Sequence, residues 1–141
     1  MSGYTWVAGA AAVVARTQAD WDGVWSLLYA AGKASFRLSL QVPFATGAPV
    51  AFAAMDVCQA RDEVGWAHPS APLDAIAVDL GPLGPALDLP ATAGVIVGLL
   101  DEALSRLTVL DRDGDELDRD LVDRLSALVR SGRAVLAEHQ R

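Results

Sequence analysis

The stretch VIVGLLDEALSRLTVLDRDGDELDRDLVDRLSALVRSGRAVL, residues 95–136, decides the fold of this chain. On both sides of its acidic run, residues 111–120, apolar residues recur at intervals of three and four, which is typical of an amphipathic α-helix. The apolar positions are Val95, Ile96, Leu99, Leu100, Ala103, Leu104, Leu107 and Leu110, then Leu121, Leu125, Leu128, Gly132 and Val135 with Val122, Val129 and Leu136 beside them. Two such helices with a short polar turn between them form an antiparallel hairpin. The stretch therefore predicts an all-α fold.

The acidic run itself resembles a calcium loop only in its alternating aspartates, Asp111, Asp113 and Asp115. A calcium loop of the helix–loop–helix type needs glycine at its sixth position and glutamate at its twelfth. No register of this run supplies both residues. We therefore predict no metal site, and we expect Asp115 or Asp118 to cap the N-terminus of the last helix.

Length and composition are those of one small domain spanning residues 1–141, which can bury about 70 % of its unfolded surface. No run of eighteen apolar residues is free of charges, proline or glycine, so a membrane span is not expected. The apolar residues 1–14 lack the basic flank of a signal peptide, because the first cation is Arg16. The only cysteine, Cys58, is consistent with a reducing compartment. We expect a cytoplasmic protein whose mature chain starts at Met1.

The net charge of −7 argues against nucleic acid as a partner. Binding to phosphates requires clustered cations, and this chain has more acidic than basic residues. No glycine-rich phosphate loop and no other cofactor motif is present, so no cofactor is predicted.

The amino-terminal half predicts three more helices. Alanine is the best helix former, and it dominates residues 4–16. Asp20 is a suitable N-cap for a second helix starting at Trp21. Pro49 suits the first position of a third helix, which is expected to end near residue 64, before Gly65.

Residues 35–42, SFRLSLQV, allow two interpretations. Apolar and polar residues alternate over all eight positions, which indicates a β-strand. However, no turn separates this segment from Trp21, so one helix running to Pro43 explains it with fewer elements. We predict the helix, a bundle of four or five helices in all, and keep an α+β fold with a strand at 35–42 as the alternative.

Residues 66–90 contain most of the prolines and several glycines, and leave room for at most a short element at 73–80. A segment this long without regular structure is usually functional or packed as an ordered cover. Its leucines predict that it lies against the bundle.

Three residues in the middle of the chain could support catalysis. Cys58 as nucleophile, His68 as base and Asp56 or Asp62 as orienting acid would provide the required groups, although their spacing does not demand this arrangement. The alternative is that Cys58 is a small buried hydrophobic residue and His68 a turn residue. Two histidines and one cysteine are too few for a typical zinc site.

All four tryptophans lie in the first half of the chain. Together with other apolar residues they could line a pocket between helices, or they could simply form the core. These other residues are Tyr4, Tyr29, Phe36, Phe44, Phe52 and Met55. The candidate ligand-binding residues are Trp21, Trp25, Tyr29, Met55 and Trp66.

The last helix carries two parallel apolar rows, which is more than one partner helix requires. One row could pack inside the chain while the other meets a second subunit. We therefore predict a small cytoplasmic binding or interaction protein that forms a homodimer through its C-terminal helix and could hold an apolar small molecule. The alternative is a small enzyme acting on an apolar metabolite in a pocket lined by the aromatic residues.

Overall fold

A computed structural model describes residues 2–141 of the chain, with side chains from Trp6 onward. Five long helices and one single turn make up 79 % of the chain, and these residues contain no strand. The elements are α1 (Ser2–Arg16), α2 (Trp21–Gln41), α3 (Phe44–Ala67), α4 (Ala71–Asp74), α5 (Leu89–Asp113) and α6 (Glu116–Glu138). The predicted all-α bundle is confirmed.

The helices α2, α3, α6 and α5 form a four-helix bundle. α2 packs against α3 and α5, and α6 packs against the same two helices, so α3 and α5 occupy opposite corners. α1 leans on α5 and α2, and α4 lies against α2 and α3. The core is aliphatic and rich in alanine; Trp6 is its one fully buried aromatic residue among those described.

None of the helices in the described part of the chain combines the length and the apolar content needed to cross a bilayer.

The α+β alternative is wrong, because α2 continues without a break through residues 35–41. Its N-terminus is capped as predicted, with Asp20 Oδ1 accepting from the Gly23 amide at 2.7 Å. Leu38 is fully buried while Leu40 is 82 % exposed, so the alternating residues do not sort into an inner and an outer face. The side chain of Ser35 is also buried, and its hydroxyl donates to the Ala31 carbonyl of the preceding turn.

The third helix begins earlier and ends later than predicted. It starts at Phe44, so Pro49 lies inside the helix rather than at its first position. A proline there removes one main-chain hydrogen bond, which is tolerated because the rest of α3 is held by its neighbours. At the other end, Gly65 lies within the helix, and His68 is the C-cap, with its amide bonded to the Val64 carbonyl.

The long connection from α3 to α5 lies along α2 as an ordered cover, as predicted. The short element inside it is α4, which lies at Ala71–Asp74 and not at the predicted 73–80, and residues 75–88 have no helix or strand. The Ile76 amide donates to Ser26 Oγ at 3.0 Å, and Asp79 forms a bidentate pair with Arg37 farther along α2. Leu80 is buried in the core. The connection therefore follows α2 from its first turns towards its end.

The predicted α5–α6 hairpin is present, and Asp115 caps α6 by accepting from the Asp118 amide at 2.9 Å. Both apolar rows of α6 are used within the chain, since Val122 and Val129 are as buried as Leu125. A Cβ atom on Gly132 would come within 3.1 Å of the Ala53 carbonyl, so α6 approaches α3 closely. The second row, Val122, Val129 and Leu136, is packed within the same chain. Its apolar character is therefore no longer evidence for a dimer contact through the C-terminal helix.

Candidate interaction surface

The outer side of the α2–α3 hairpin carries two rows of large side chains. Both helices are long and are joined by only Val42 and Pro43, so they run antiparallel. Steps of three and four residues keep side chains on one face of a helix. Following those steps, one row contains Trp25, Tyr29, Lys33, Phe36 and Leu40 of α2, and the other contains Phe44, Phe52, Met55, Gln59, Asp62 and Trp66 of α3.

Five of these side chains are apolar, lie in the half of the hairpin near its turn and remain in water. We call them the hairpin face. The exposed fractions are 39 % for Phe36, 82 % for Leu40, 87 % for Phe44, 67 % for Phe52 and 56 % for Met55. Scattered single apolar residues are normal on a protein surface, whereas a contiguous group of this kind usually marks a binding site.

An open depression of about 400 Å³ lies between the two rows. It is lined by apolar and polar side chains together: Phe36, Phe52, Met55, Asp56, Cys58, Gln59 and Asp62. Burial raises the pKa of the Cys58 thiol, and Arg61 and Lys33 oppose this rise only in part. The thiol is therefore less ionised at neutral pH than a free cysteine, which is the opposite of what a nucleophile needs.

The five predicted ligand-binding residues all lie on this hairpin, and Met55 is the one of them that lines the depression. Trp25 and Tyr29 are half-buried and stack with ring centroids 5.3 Å apart, and the Arg61 guanidinium lies 5.8 Å from the Tyr29 ring centre. The Trp21 ring stacks on the His68 ring with centroids 4.5 Å apart, near the C-terminus of α3 and the N-terminus of α6. Met55 belongs to the hairpin face.

Trp66, the fifth of these residues, is 74 % exposed near the end of the α3 row. Of the tryptophans, only Trp6 is buried in the core, where its indole N–H donates to the Gly81 carbonyl at 3.1 Å. The aromatic residues are therefore, for the most part, a surface feature.

Of the candidate catalytic residues, Asp56 and Cys58 line the same depression, as does Asp62, whereas His68 lies apart from them. Cys58 and His68 are ten residues apart on α3, which corresponds to about 15 Å along the helix. His68 Nε2 lies 3.2 Å from Asp118 Oδ1, so its ring links the end of α3 to the first turn of α6. Asp56 accepts a hydrogen bond from Ser131 Oγ at 3.0 Å. Each of His68 and Asp56 thus has a hydrogen-bond partner on α6.

Leu40 of the hairpin face was not among the predicted site residues, and Phe36, Phe44 and Phe52 were expected to line a pocket between helices or to form the core, not to lie exposed. The side chain of Tyr4, another member of that aromatic set, lies outside the described residues. The signal for the hairpin face was available, because its residues follow the same steps of three and four as Trp25 and Met55. It was obscured because α2 and α3 carry apolar residues on more than one side, so periodicity alone does not show which side is inside.

Arg106 is a second residue whose role the sequence did not indicate. It is only 7 % exposed and lies on α5. Its guanidinium donates to Thr17 Oγ1 and to the Gln18 and Val14 carbonyls, at 2.5, 2.9 and 3.0 Å. It satisfies main-chain carbonyls at the C-terminus of α1, a position that favours a cation.

No buried side-chain nitrogen or oxygen in the described part of the chain lacks a hydrogen-bond partner. Nor do the described residues include a group of three or more histidine, cysteine, aspartate or glutamate side chains placed to hold a metal ion. The arrangement offers apolar contact area rather than an array of polar groups directed at a ligand.

No protein-family model, no curated protein and no solved structure matches this chain.

Proposed function

We propose that this chain is a small, non-catalytic interaction protein that binds an apolar surface of another protein through the hairpin face. The observation that supports the proposal is the exposure of five large apolar side chains on one side of the α2–α3 hairpin. Phenylalanine and methionine are enriched at the centres of protein–protein interfaces.

The size of the hairpin face supports a protein partner. If a fully exposed side chain of this kind offers about 200 Å², the measured exposures correspond to roughly 600–700 Å² of apolar surface. The largest apolar patch on a typical monomer covers about 300–600 Å². The face thus exceeds what a protein without an apolar partner usually leaves in water.

A protein partner also fits the shape of the site better than a small metabolite does. Small-molecule sites bury most of the ligand and place a few polar groups around it. Here the depression is open, and although Asp56 and Cys58 both line it, His68 lies away from it and is bonded to Asp118 of α6. The geometry therefore favours binding over the alternative of a small enzyme acting on an apolar metabolite.

We further propose that the protein works in the cytoplasm, since a lone cysteine suits a reducing compartment. Its net charge of −7 makes nucleic acid an unsuitable partner.

The proposal is tested with the apolar dye ANS, which fluoresces when it binds exposed apolar surface. The face variant Phe44→Gln/Phe52→Gln is compared with a matched control, Leu73→Gln/Leu117→Gln, whose side chains are 84 % and 79 % exposed outside the face. At a protein concentration of about 1 µM, where association is weak for typical micromolar contacts, the wild type should bind the dye saturably. The face variant should lose most of this binding and the control should retain it.

All three proteins should have the same circular dichroism spectrum, because every substituted side chain is exposed. If a wild-type protein that sediments as a monomer does not bind the dye, or if the face variant binds it equally well, the proposed function is overturned.

A further inference from the structure

We infer that the partner on the hairpin face is a second copy of this chain, placed so that the two α2–α3 hairpins pack on one another about a two-fold axis. The inference rests on the proposed function and adds the identity of the partner. In a two-fold dimer the same patch meets itself, so each copy must supply a patch that is complementary to itself.

The area of the face meets the first requirement of such a dimer. A stable interface of standard size buries about 800 Å² on each partner, of which 55–65 % is apolar. The five exposed side chains provide roughly 600–700 Å² of apolar surface on each copy. They can therefore form the whole apolar centre of a standard interface without any rearrangement of the helices.

The arrangement of the side chains meets the second requirement. Each copy presents two antiparallel helices side by side, and two such hairpins packed face to face form a four-helix arrangement, a common packing unit. Phe36 of α2 lines the same depression as Phe52 and Met55 of α3, so apolar side chains from both helices meet at its centre. Protruding side chains such as Phe44, 87 % exposed, would lie in the corresponding depression of the other copy.

The charges around the face meet the third requirement, since both signs are present. Lys33 lies on the α2 row beside Phe36, and among the described residues it forms no salt bridge within its own chain. Asp56 and Asp62 line the depression from α3, and Asp62 is also paired with Arg61 of the same helix. A two-fold axis between two such faces can bring the basic side chain of each copy to the acidic side chains of the other, whereas a face with charges of one sign would repel its copy.

Sedimentation equilibrium tests the inference with the full chain at about 2–200 µM and 0.15 M salt, concentrations that bracket a micromolar dissociation constant. We expect the wild type to sediment as a dimer at the upper end of this range. The Phe44→Gln/Phe52→Gln variant should raise the dissociation constant by roughly 30-fold or more, as loss of central interface side chains does. The Leu73→Gln/Leu117→Gln control should dimerise like the wild type.

A wild type that remains monomeric at the highest concentration, or a face variant that dimerises normally, overturns the inference. The dye experiment separates this failure from failure of the proposed function. A monomer that binds ANS through the hairpin face still has a docking surface, but for a different protein. If the protein is a monomer and does not bind ANS at the hairpin face, both the inferred dimer and the proposed docking surface are overturned.

Discussion

Replacing Arg106 by methionine should destabilise the fold strongly. Methionine preserves most of the aliphatic length of the side chain and removes its donors. The guanidinium contacts Thr17 Oγ1 and the carbonyls of Val14 and Gln18, and also Glu102 one turn away on α5 at 3.2 Å. Without the guanidinium, the carbonyls at the end of α1 would face an apolar side chain in a site that is almost closed to water.

The magnitude follows from these contacts. A hydrogen bond to a charged group contributes about 1.5–3 kcal/mol, and removing one member of a buried charged set costs about 3–5 kcal/mol in total. Glu102 adds little, because its side chain is 38 % exposed and water can solvate it after the change. We therefore expect a loss of about 3–5 kcal/mol, which in a domain of this size lowers Tm by roughly 10–15 °C.

Urea unfolding followed by circular dichroism measures the free energy directly, and Arg133→Met is the matched control. Arg133 forms an ion pair with Asp101, and the two side chains are 37 % and 50 % exposed, so its loss should cost no more than about 1 kcal/mol. If Arg106→Met also costs less than about 1 kcal/mol, the Val14 and Gln18 carbonyls do not depend on the guanidinium, and the reasoning is refuted. Hydrogen exchange should in addition show α1 opening faster in the Arg106 variant only.

Two further predictions concern helix packing and pH. Gly132→Ala would place a Cβ atom 3.0 Å from Val57 Cγ2 and 3.1 Å from the Ala53 carbonyl oxygen. Urea unfolding should therefore show that the free energy of unfolding falls by about 1–3 kcal/mol. An unchanged or higher stability would mean that α3 and α6 can separate freely. The Arg37 side chain holds the pKa of Asp79 at about 2, below its usual range, so this carboxylate stabilises the fold above pH 4 and the contribution is lost as the pH falls towards 2. The stability difference between the wild type and Asp79→Asn should therefore be constant from about pH 7 to 5 and shrink between about pH 4 and 2; a difference that does not change with pH would contradict this account.

Much of the fold could be predicted from the sequence because its signals are local. Steps of three and four residues predicted the α5 and α6 helices, and Asp20 and Asp115 cap their helices as their positions before the first turns indicated. The prolines and glycines of residues 66–90 likewise predicted an irregular cover. Each of these features depends on residues within one or two turns of each other, so no knowledge of distant parts of the chain was needed.

The start of α3 and the role of the second apolar row of α6 depended on tertiary contacts. Pro49 disfavours a continuous helix locally, yet α3 runs through it because helices on both sides pack against it. The row containing Val129 could have faced a second subunit, but it is buried within the chain. Periodicity shows that a face is apolar, while the arrangement of the helices determines what covers that face.

In the candidate site, too, some features follow from the sequence and others depend on the tertiary structure. The sequence by itself determined that Trp25, Tyr29, Met55 and Trp66 lie at helical spacing, and hence that α2 and α3 each carry a row of large side chains. Only the tertiary structure decided that Met55 and Trp66 lie exposed while Trp25 packs partly against the core. Both helices are apolar on several sides, and the bundle fills its interior mainly with alanine, valine and leucine. The small core residues let the helices pack closely, and close packing leaves the interior no room for the bulky residues of the hairpin face.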